Sequence, residues 1–259
     1  MTRLLLVLMC SLGSLSIFAQ SKGTGLDLYA LRIYHFSSME QEKRILTYLE
    51  SALVPALHRQ GLSHIGVFET IGADTARAKR IYLLIPHNSP QQLAEAERNI
   101  ISDKSYQEES ADYTEASYDK PVYDRLEVIH LLAFPLAPKI QQPALKGPKA
   151  DRIYELRSYE SASEKIFRNK VKMFNEGGEI ALFKRLNFNA IFYSEVLAGS
   201  RMPNLMYMTS FENMDDRNTH WKTFSDDPQW KALSSSPEYQ HNVSHADIWF
   251  LRSLDFSDL

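Results

Sequence analysis

Leu28-Tyr29-Ala30-Leu31-Arg32-Ile33-Tyr34 returns 125 residues later as Ile153-Tyr154-Glu155-Leu156-Arg157-Ser158-Tyr159. The same offset, without a gap, pairs Ala56-Leu57 with Ala181-Leu182, Tyr82 with Tyr207 and Asn88 with Asn213. A register held over that length is the mark of an internal repeat. The chain therefore reads as two divergent copies of one small fold.

Each copy carries the same order of patterns. In the first, the apolar alternation of Leu28 to Tyr34 is a strand, and Ser38 opens a helix whose Leu46, Leu49, Leu53 and Leu57 step by three and four. Pro55 should kink or divide that helix, and Gly61 should end it. Strands follow at Ile65 to Ile71 and Ile81 to Ile85, around a turn at Gly72-Ala73-Asp74. Ser89-Pro90 then caps a shorter helix through Ile101, and Val122 to Leu132 is the last strand. The second copy has a strand at Ile153 to Tyr159 and a helix opened by Ser161, with Glu164 at capping-box spacing. Phe167, Val171, Phe174, Gly178 and Leu182 mark its buried face. Phe188 to Leu197 and Leu205 to Phe211 form a hairpin around Gly199 to Asn204, Asn213 to Phe224 is the second helix and Asp247 to Leu254 the closing strand.

This β-α-β-β-α-β order is ferredoxin-like, an antiparallel sheet with both helices on one face and the other face bare. The expected fold class is α+β: tandem ferredoxin-like repeats whose bare faces meet in an intrachain dimeric α/β barrel. The copies span residues 26–135 and 151–256, and the proline-rich segment 136–150 joins them as a stiff, extended linker. Alternation gives two faces to each first strand. Tyr29, Leu31 and Ile33 are expected beneath the helices, with Arg32, Tyr34, Arg157 and Tyr159 turned into the space between the sheets.

Residues 1–19 have the composition of a signal peptide: a short start with Arg3 as its one charge, an apolar run from Leu4 to Phe18, and small residues before a cleavage point near Ala19. That predicts a periplasmic or secreted protein, with no transmembrane helix in the mature chain, since the apolar run is too short to span a bilayer. Cys10 is the single cysteine and leaves with the leader, which excludes disulfides, thiolate nucleophiles and cysteine-bound metals. The mature chain carries 28 basic against 32 acidic residues. With no basic block or aromatic-interleaved arginine stripe, nucleic acid is not an expected partner.

The segments Ile153 to Tyr159, Met206-Tyr207-Met208-Thr209-Ser210-Phe211 and Arg217-Asn218-Thr219-His220-Trp221-Lys222-Thr223-Phe224-Ser225-Asp226-Asp227-Pro228-Gln229-Trp230 resemble the NIPSNAP family. The resemblance covers nearly all of the second copy and implies a dimeric α/β-barrel fold without implying a reaction. The first copy has Ile101-Ser102-Asp103-Lys104-Ser105-Tyr106 where the second has its tryptophans. A site that depends on them should therefore exist once per chain.

Arg217, His220, Trp221 and Phe224 fall along one side of a helix, and Asp227-Pro228 starts the next. Packing onto the sheet accounts for Trp221, Phe224 and Trp230, whereas a functional reading has the aromatics lining a pocket with His220 as a proton-transfer group at its mouth. Arg32 and Arg157 occupy equivalent positions and need partners. Those are an internal carboxylate such as Glu69 or Glu195, or the oxygens of a small ligand, which a guanidinium fork suits. The candidate ligand-binding residues are thus Arg32, Tyr34, Arg157, Tyr159, His220, Trp221 and Trp230. His241 and His245 have a chelating spacing only if helical, and no metal is expected there. Phosphate loops, nucleophile elbows and paired catalytic carboxylates have no local pattern, so the chemistry and any cofactor stay open. Two functions remain. One is a protein that binds a small apolar or aromatic molecule, or a protein partner, through its tandem barrel. The other is a cofactor-independent monooxygenase or isomerase, or a haem-using enzyme.

Overall fold

The first strand of the described residues is β1 (Leu28–Phe36), nine residues buried on both sides apart from Arg32 and His35. Ser38 then caps α1 (Met39–Thr47) in a complete capping box: its hydroxyl accepts from the Gln41 N–H, and the Gln41 side chain accepts from the Ser38 N–H. The helix widens into a π-turn (Tyr48–Leu53) and resumes as α2 (Val54–Arg59), with Pro55 in its first turn. Pro55 brings no N–H, so the helix is divided there, as the sequence predicts. Gly61 at φ +79° ends it, the Gly61 N–H bonding to the His58 carbonyl and the Leu62 N–H to that of Leu57, a Schellman closure.

The computed structural model describes residues 25–71 and 79–259. The leader at residues 1–19 and the turn at Gly72-Ala73-Asp74 lie outside the described residues. The first half continues through β2 (Gly66–Thr70), β3 (Lys79–His87), α3 (Pro90–Ile101), α4 (Lys104–Glu109), α5 (Ala111–Thr114) and β4 (Arg125–Ala133). The second runs β5 (Ile153–Glu160), α6 (Glu164–Asn175), α7 (Glu179–Arg185), β6 (Asn189–Ala198), β7 (Asn204–Phe211), α8 (Met214–Asp226), α9 (Pro228–Ser235) and β8 (His245–Ser253). None of the described helices is long and apolar enough to cross a membrane.

All eight strands close into one antiparallel barrel in the order β1-β3-β2-β8-β5-β7-β6-β4. Each half supplies a contiguous block, β4-β1-β3-β2 and β8-β5-β7-β6, so the strand order is the same in both. The blocks are joined by backbone ladders at two seams: Phe68 to Thr70 opposite Ser253 to Leu251, and β4 against β6 with a bulge between His130 and Leu131. Closure leaves no sheet edge unpaired. The interior is filled by Tyr29, Leu31, Phe68, Tyr82, Tyr154, Leu156, Met206, Met208 and Leu251 among others, and each half packs its helices on the outside of its own block.

Three expectations are corrected. The first concerns the strand faces, which are inverted: Tyr29, Leu31 and Ile33 point into the barrel, while Tyr34 packs under the helices of the first half and Arg32 pairs with Glu97 of α3. Arg157 and Tyr159 lie under the helices of the second half. A strand in a closed barrel is buried on both sides, so alternation separates two faces without saying which is the inner one. The second concerns the repeat, which slips by one residue. Arg32 sits opposite Leu83 but Arg157 opposite Tyr207, and the helix caps Ser89 and Asn213 are likewise 124 apart. Tyr82 therefore faces the barrel and Tyr207 the helices, since a one-residue shift changes the face of a strand residue. The third is the α6 cap, which is Ser163, its hydroxyl accepting from Ile166; Ser161 instead donates to the Asn242 carbonyl at 2.7 Å. Gly178, at φ +92°, separates α6 from α7 rather than lying inside one helix. The helical condition for chelation by His241 and His245 is not met: His241 has φ +57° in a turn and His245 begins β8.

The proline-rich segment between the halves is tied down at two points. The Asp27 carboxylate accepts from Lys139 Nζ at 2.8 Å and the Ile140 N–H at 3.0 Å, and Glu212 accepts from the Lys146 and Gly147 N–H groups at 2.8 and 2.7 Å.

Candidate functional site

Residues 155, 157 and 159 of β5 share the face beneath α8, and this brings the second-half candidates together. Glu155 is fully buried there. Its carboxylate accepts from Arg157 Nε at 2.6 Å, from Arg217 Nε and Nη2 at 2.7 and 3.1 Å, and from Trp221 Nε1 at 2.8 Å. The Arg157 guanidinium carbon also sits over Trp221, 3.6 Å from the ring centroid, and Arg157 donates to the Tyr159 hydroxyl at 2.9 Å. That hydroxyl is 3.0 Å from the Tyr207 hydroxyl, which burial holds well above the ordinary tyrosine range. Two cations share one carboxylate, and every heteroatom of Glu155 is spoken for. The arrangement orients and neutralises a buried charge.

The other candidates stand apart from this network. His220 packs on Phe188 and Phe211, with Nδ1 2.9 Å from the Asp216 carbonyl and 3.1 Å from its carboxylate. Trp230 packs on Phe224 at 4.5 Å between centroids. Arg32 and Tyr34 lie across the barrel, because β1 and β5 are four strands apart in a ring of eight. Tyr34 meets the rings of Tyr113 and Tyr123, and Tyr113 stacks on Tyr48 at 3.6 Å. Internal pairing of both arginines is observed, with Glu97 and Glu155 as the partners. Glu69 instead lies 4.0 Å from Arg252, and burial raises the Glu195 carboxyl above its usual range.

A second site lies at one open end of the barrel, where β1, β5 and β6 end and β3, β4 and β7 begin. Ile33, Tyr82, Ile129, Val196, Met206 and Trp249 form its walls, with Tyr82 and Trp249 at 6.4 Å and 48°. His35, Arg80, Glu127, Ser158 and Asn204 supply the polar lining, and Gly199, Ser200 and Arg201 of the β6–β7 loop form the rim. The free space is about 40 Å³ for the centre of a water-sized sphere, room for a few waters.

Three polar atoms of this lining, His35 Nε2, Arg80 Nε and Asn204 Oδ1, are buried without a hydrogen-bond partner among the described residues. The Asn204 amide nitrogen donates to Ser158 Oγ at 2.8 Å, which leaves only its oxygen unmatched. His35 Nε2 is 3.1 Å from a Glu127 oxygen but not aligned for a hydrogen bond. Burial, then the neighbouring Arg80 and Arg125, push the imidazole below its ordinary pKa against the pull of Glu127. At the rim, Arg201 pairs with Asp247 and lies 3.6 Å from Glu160, and Ser200 Oγ donates to Glu127 at 3.4 Å. Glu160, His245 and Asp247 bring three potential ligand atoms within 4.8 Å, but Arg201 already occupies both carboxylates.

None of the seven residues singled out from the sequence lines this mouth. Its residues come from seven strand ends and one loop, and no local spacing relates them. The one local sign in the sequence is the polar loop Gly199 to Asn204, whose composition is that of a hairpin turn.

An eight-stranded barrel closed from two matching four-stranded blocks with outer helices defines the chain as a dimeric α/β-barrel protein. Within it, residues 154–258 match the model of the NIPSNAP family. No curated protein matches the sequence. Among solved structures, a candidate monooxygenase of Fusobacterium nucleatum subsp. nucleatum superposes at a TM-score of 0.56 and 8% identity, over 89% of this chain and 94% of that one. An anthrone oxidase-like protein does so at 0.52 and 9%, over 90% and 93%. These two likenesses show the fold. A NIPSNAP family protein of Agrobacterium tumefaciens is 23% identical over 42% of this chain and 98% of that one, with a TM-score of 0.37.

Proposed function

We propose that the chain is an exported binding protein that takes a small, partly apolar molecule at the open end of a barrel made from two ferredoxin-like repeats. The observation that carries this reading is an apolar-walled pocket whose lining includes Arg80 and Asn204, with Arg80 Nε and Asn204 Oδ1 both lacking a hydrogen-bond partner among the described residues. A buried polar group left without a partner costs about 1–3 kcal/mol, and a ligand that matches these atoms recovers that cost. Pockets of this composition, mostly apolar with a few placed polar groups, are where small molecules bind. The leader composition of residues 1–19 supports export. Binding through Arg157, Tyr159 and Trp221 would have to dismantle the Glu155 network, so the mouth is the better-supported site. The oxidation named for two of the structural relatives supports an oxygenase reading through the fold alone, and one fold hosts many chemistries.

Native mass spectrometry of the mature protein from its own host tests the proposal. The expected result is a retained small molecule that is lost on Trp249→Ala or Asn204→Leu and kept on Arg157→Lys. A molecule lost on Arg157→Lys and kept in the mouth variants would overturn it in favour of the helix layer.

A further inference from the structure

We infer that the molecule held at the barrel mouth is a single-ring aromatic anion, its carboxylate or phenolate bound by Arg80 and its ring set against Tyr82 and Trp249. The inference rests on the mouth being a binding site and adds the chemical class of what it takes. Its basis is the distribution of charge around the opening. His35 of β1 lies between two arginines across the sheet, opposite Arg80 of β3 on one side and Arg125 of β4 on the other. Arg125 is 3.3 Å from Glu127 and Arg201 is paired with Asp247. Arg80 forms no salt bridge to any carboxylate among the described residues, and its buried Nε has no hydrogen-bond partner there. Glu127 cannot serve it as a free counter-ion, since it already faces His35, Arg125 and Ser200. A half-buried guanidinium left without a counter-charge is a ready site for an oxyanion, which it grips through two N–H groups.

The remaining features set what is attached to that oxyanion. Tyr82 and Trp249 meet at 48° and form an aromatic corner, and Ile33 and Met206 complete an apolar wall suited to a planar ring. Asn204 Oδ1 accepts only, so it calls for a hydroxyl or N–H on the ligand. A hydroxylated aromatic acid satisfies all of these. The free space is small enough that the rim segment Gly199 to Arg201 must give way on entry, and among the described residues its side chains are held by the Ser200 to Glu127 hydrogen bond and the Arg201 ion pairs.

The test is calorimetric titration of the full mature chain with 4-hydroxybenzoate, with neutral 4-hydroxybenzamide and with the non-aromatic cyclohexanecarboxylate, while the Trp249 indole N–H is followed by NMR. The expectation is that 4-hydroxybenzoate binds about tenfold or more tightly than either comparator, the scale of a charge-assisted hydrogen bond. That preference should disappear in Arg80→Gln and persist in part in Arg80→Lys, with melting curves confirming that both variants are folded. Equal affinity for acid and amide, with the indole shifting for both, would overturn the anion while leaving the mouth as a binding site. A preference for the acid that survives Arg80→Gln would remove Arg80 from the role. No heat and no indole shift with any of the three would overturn the inference, and an empty protein in the mass spectrometry would take the binding site with it.

Discussion

The Arg157 guanidinium sits over the Trp221 ring, 3.6 Å from its centroid, while both residues donate to one carboxylate, that of the fully buried Glu155. Arg217 adds a second cation to the same group. Removing the negative charge leaves two guanidinium groups facing each other in a layer that is mostly out of water. Glu155→Gln should therefore lower stability by about 3–5 kcal/mol, the cost of breaking a buried pair from one side, with the fold otherwise intact at low temperature. Urea denaturation followed by far-UV circular dichroism reads it. A loss below about 1 kcal/mol, the range of solvent-screened pairs, would mean that water reaches the network.

His87 ends β3 beneath the helices, buried, with Nδ1 unpartnered among the described residues. Burial first, then Arg32 and His130, push its pKa from 6.5 down to about 4. In that interval the unfolded chain takes up a proton that the folded chain refuses, so the folded state is favoured above pH 6.5 and loses ground as pH falls from 6.5 towards 4. The whole interval corresponds to about 3 kcal/mol. Replacing His87 by Gln should flatten the stability curve between pH 6.5 and 4 and leave it little changed above pH 7. An unaltered slope in His87→Gln would place the proton uptake on another group.

Lys170 of α6 and Glu179, the first residue of α7, form an ion pair at 2.9 Å with both side chains almost wholly buried. Lys170 also lies 4.8 Å above the Phe174 ring, and the α7 N-terminus favours the acid. The pair fixes how the two helices meet across Gly178. Lys170→Met alone should cost about 3–5 kcal/mol by stranding the carboxylate, and Lys170→Met with Glu179→Gln should recover much of it. A double variant as unstable as the single would show that the carboxylate is not what the lysine offsets.

Local chemistry was legible where the backbone itself demands it. Ser38, Ser89-Pro90, Asn213 and Asp227-Pro228 cap the helices expected of them, and Pro55 divides α1 from α2, because unpaired N–H groups and a missing one have few solutions. Ser161 misled because it stands at capping-box spacing two residues before the true cap, and only the fold brings the Asn242 carbonyl to its hydroxyl. α4 and α5 carry no apolar stripe to reveal them, since their inward contacts are the partly buried Tyr106 and Tyr113, which pack on Tyr48. The inner and outer faces of β1 could not be told apart while both are apolar. The mouth was invisible for a different reason. His35, Arg80, Glu127 and Asn204 meet only once the ring of strands has closed.

The ring itself yields the last prediction. In residues 151–259 taken alone, β8 loses its ladder to β2 and β6 loses its ladder to β4. Tyr154, Leu156, Met206, Met208 and Leu251, all within the barrel interior, would then face water. A sheet with one bare apolar face and two unpaired edges finds cover in a second copy of itself. The separately expressed fragment should therefore sediment as a dimer or aggregate, and adding residues 26–150 in trans should compete for the same face. A stable monomer by sedimentation would mean that the second half does not need the first to fold, and would remove the reason for a tandem chain.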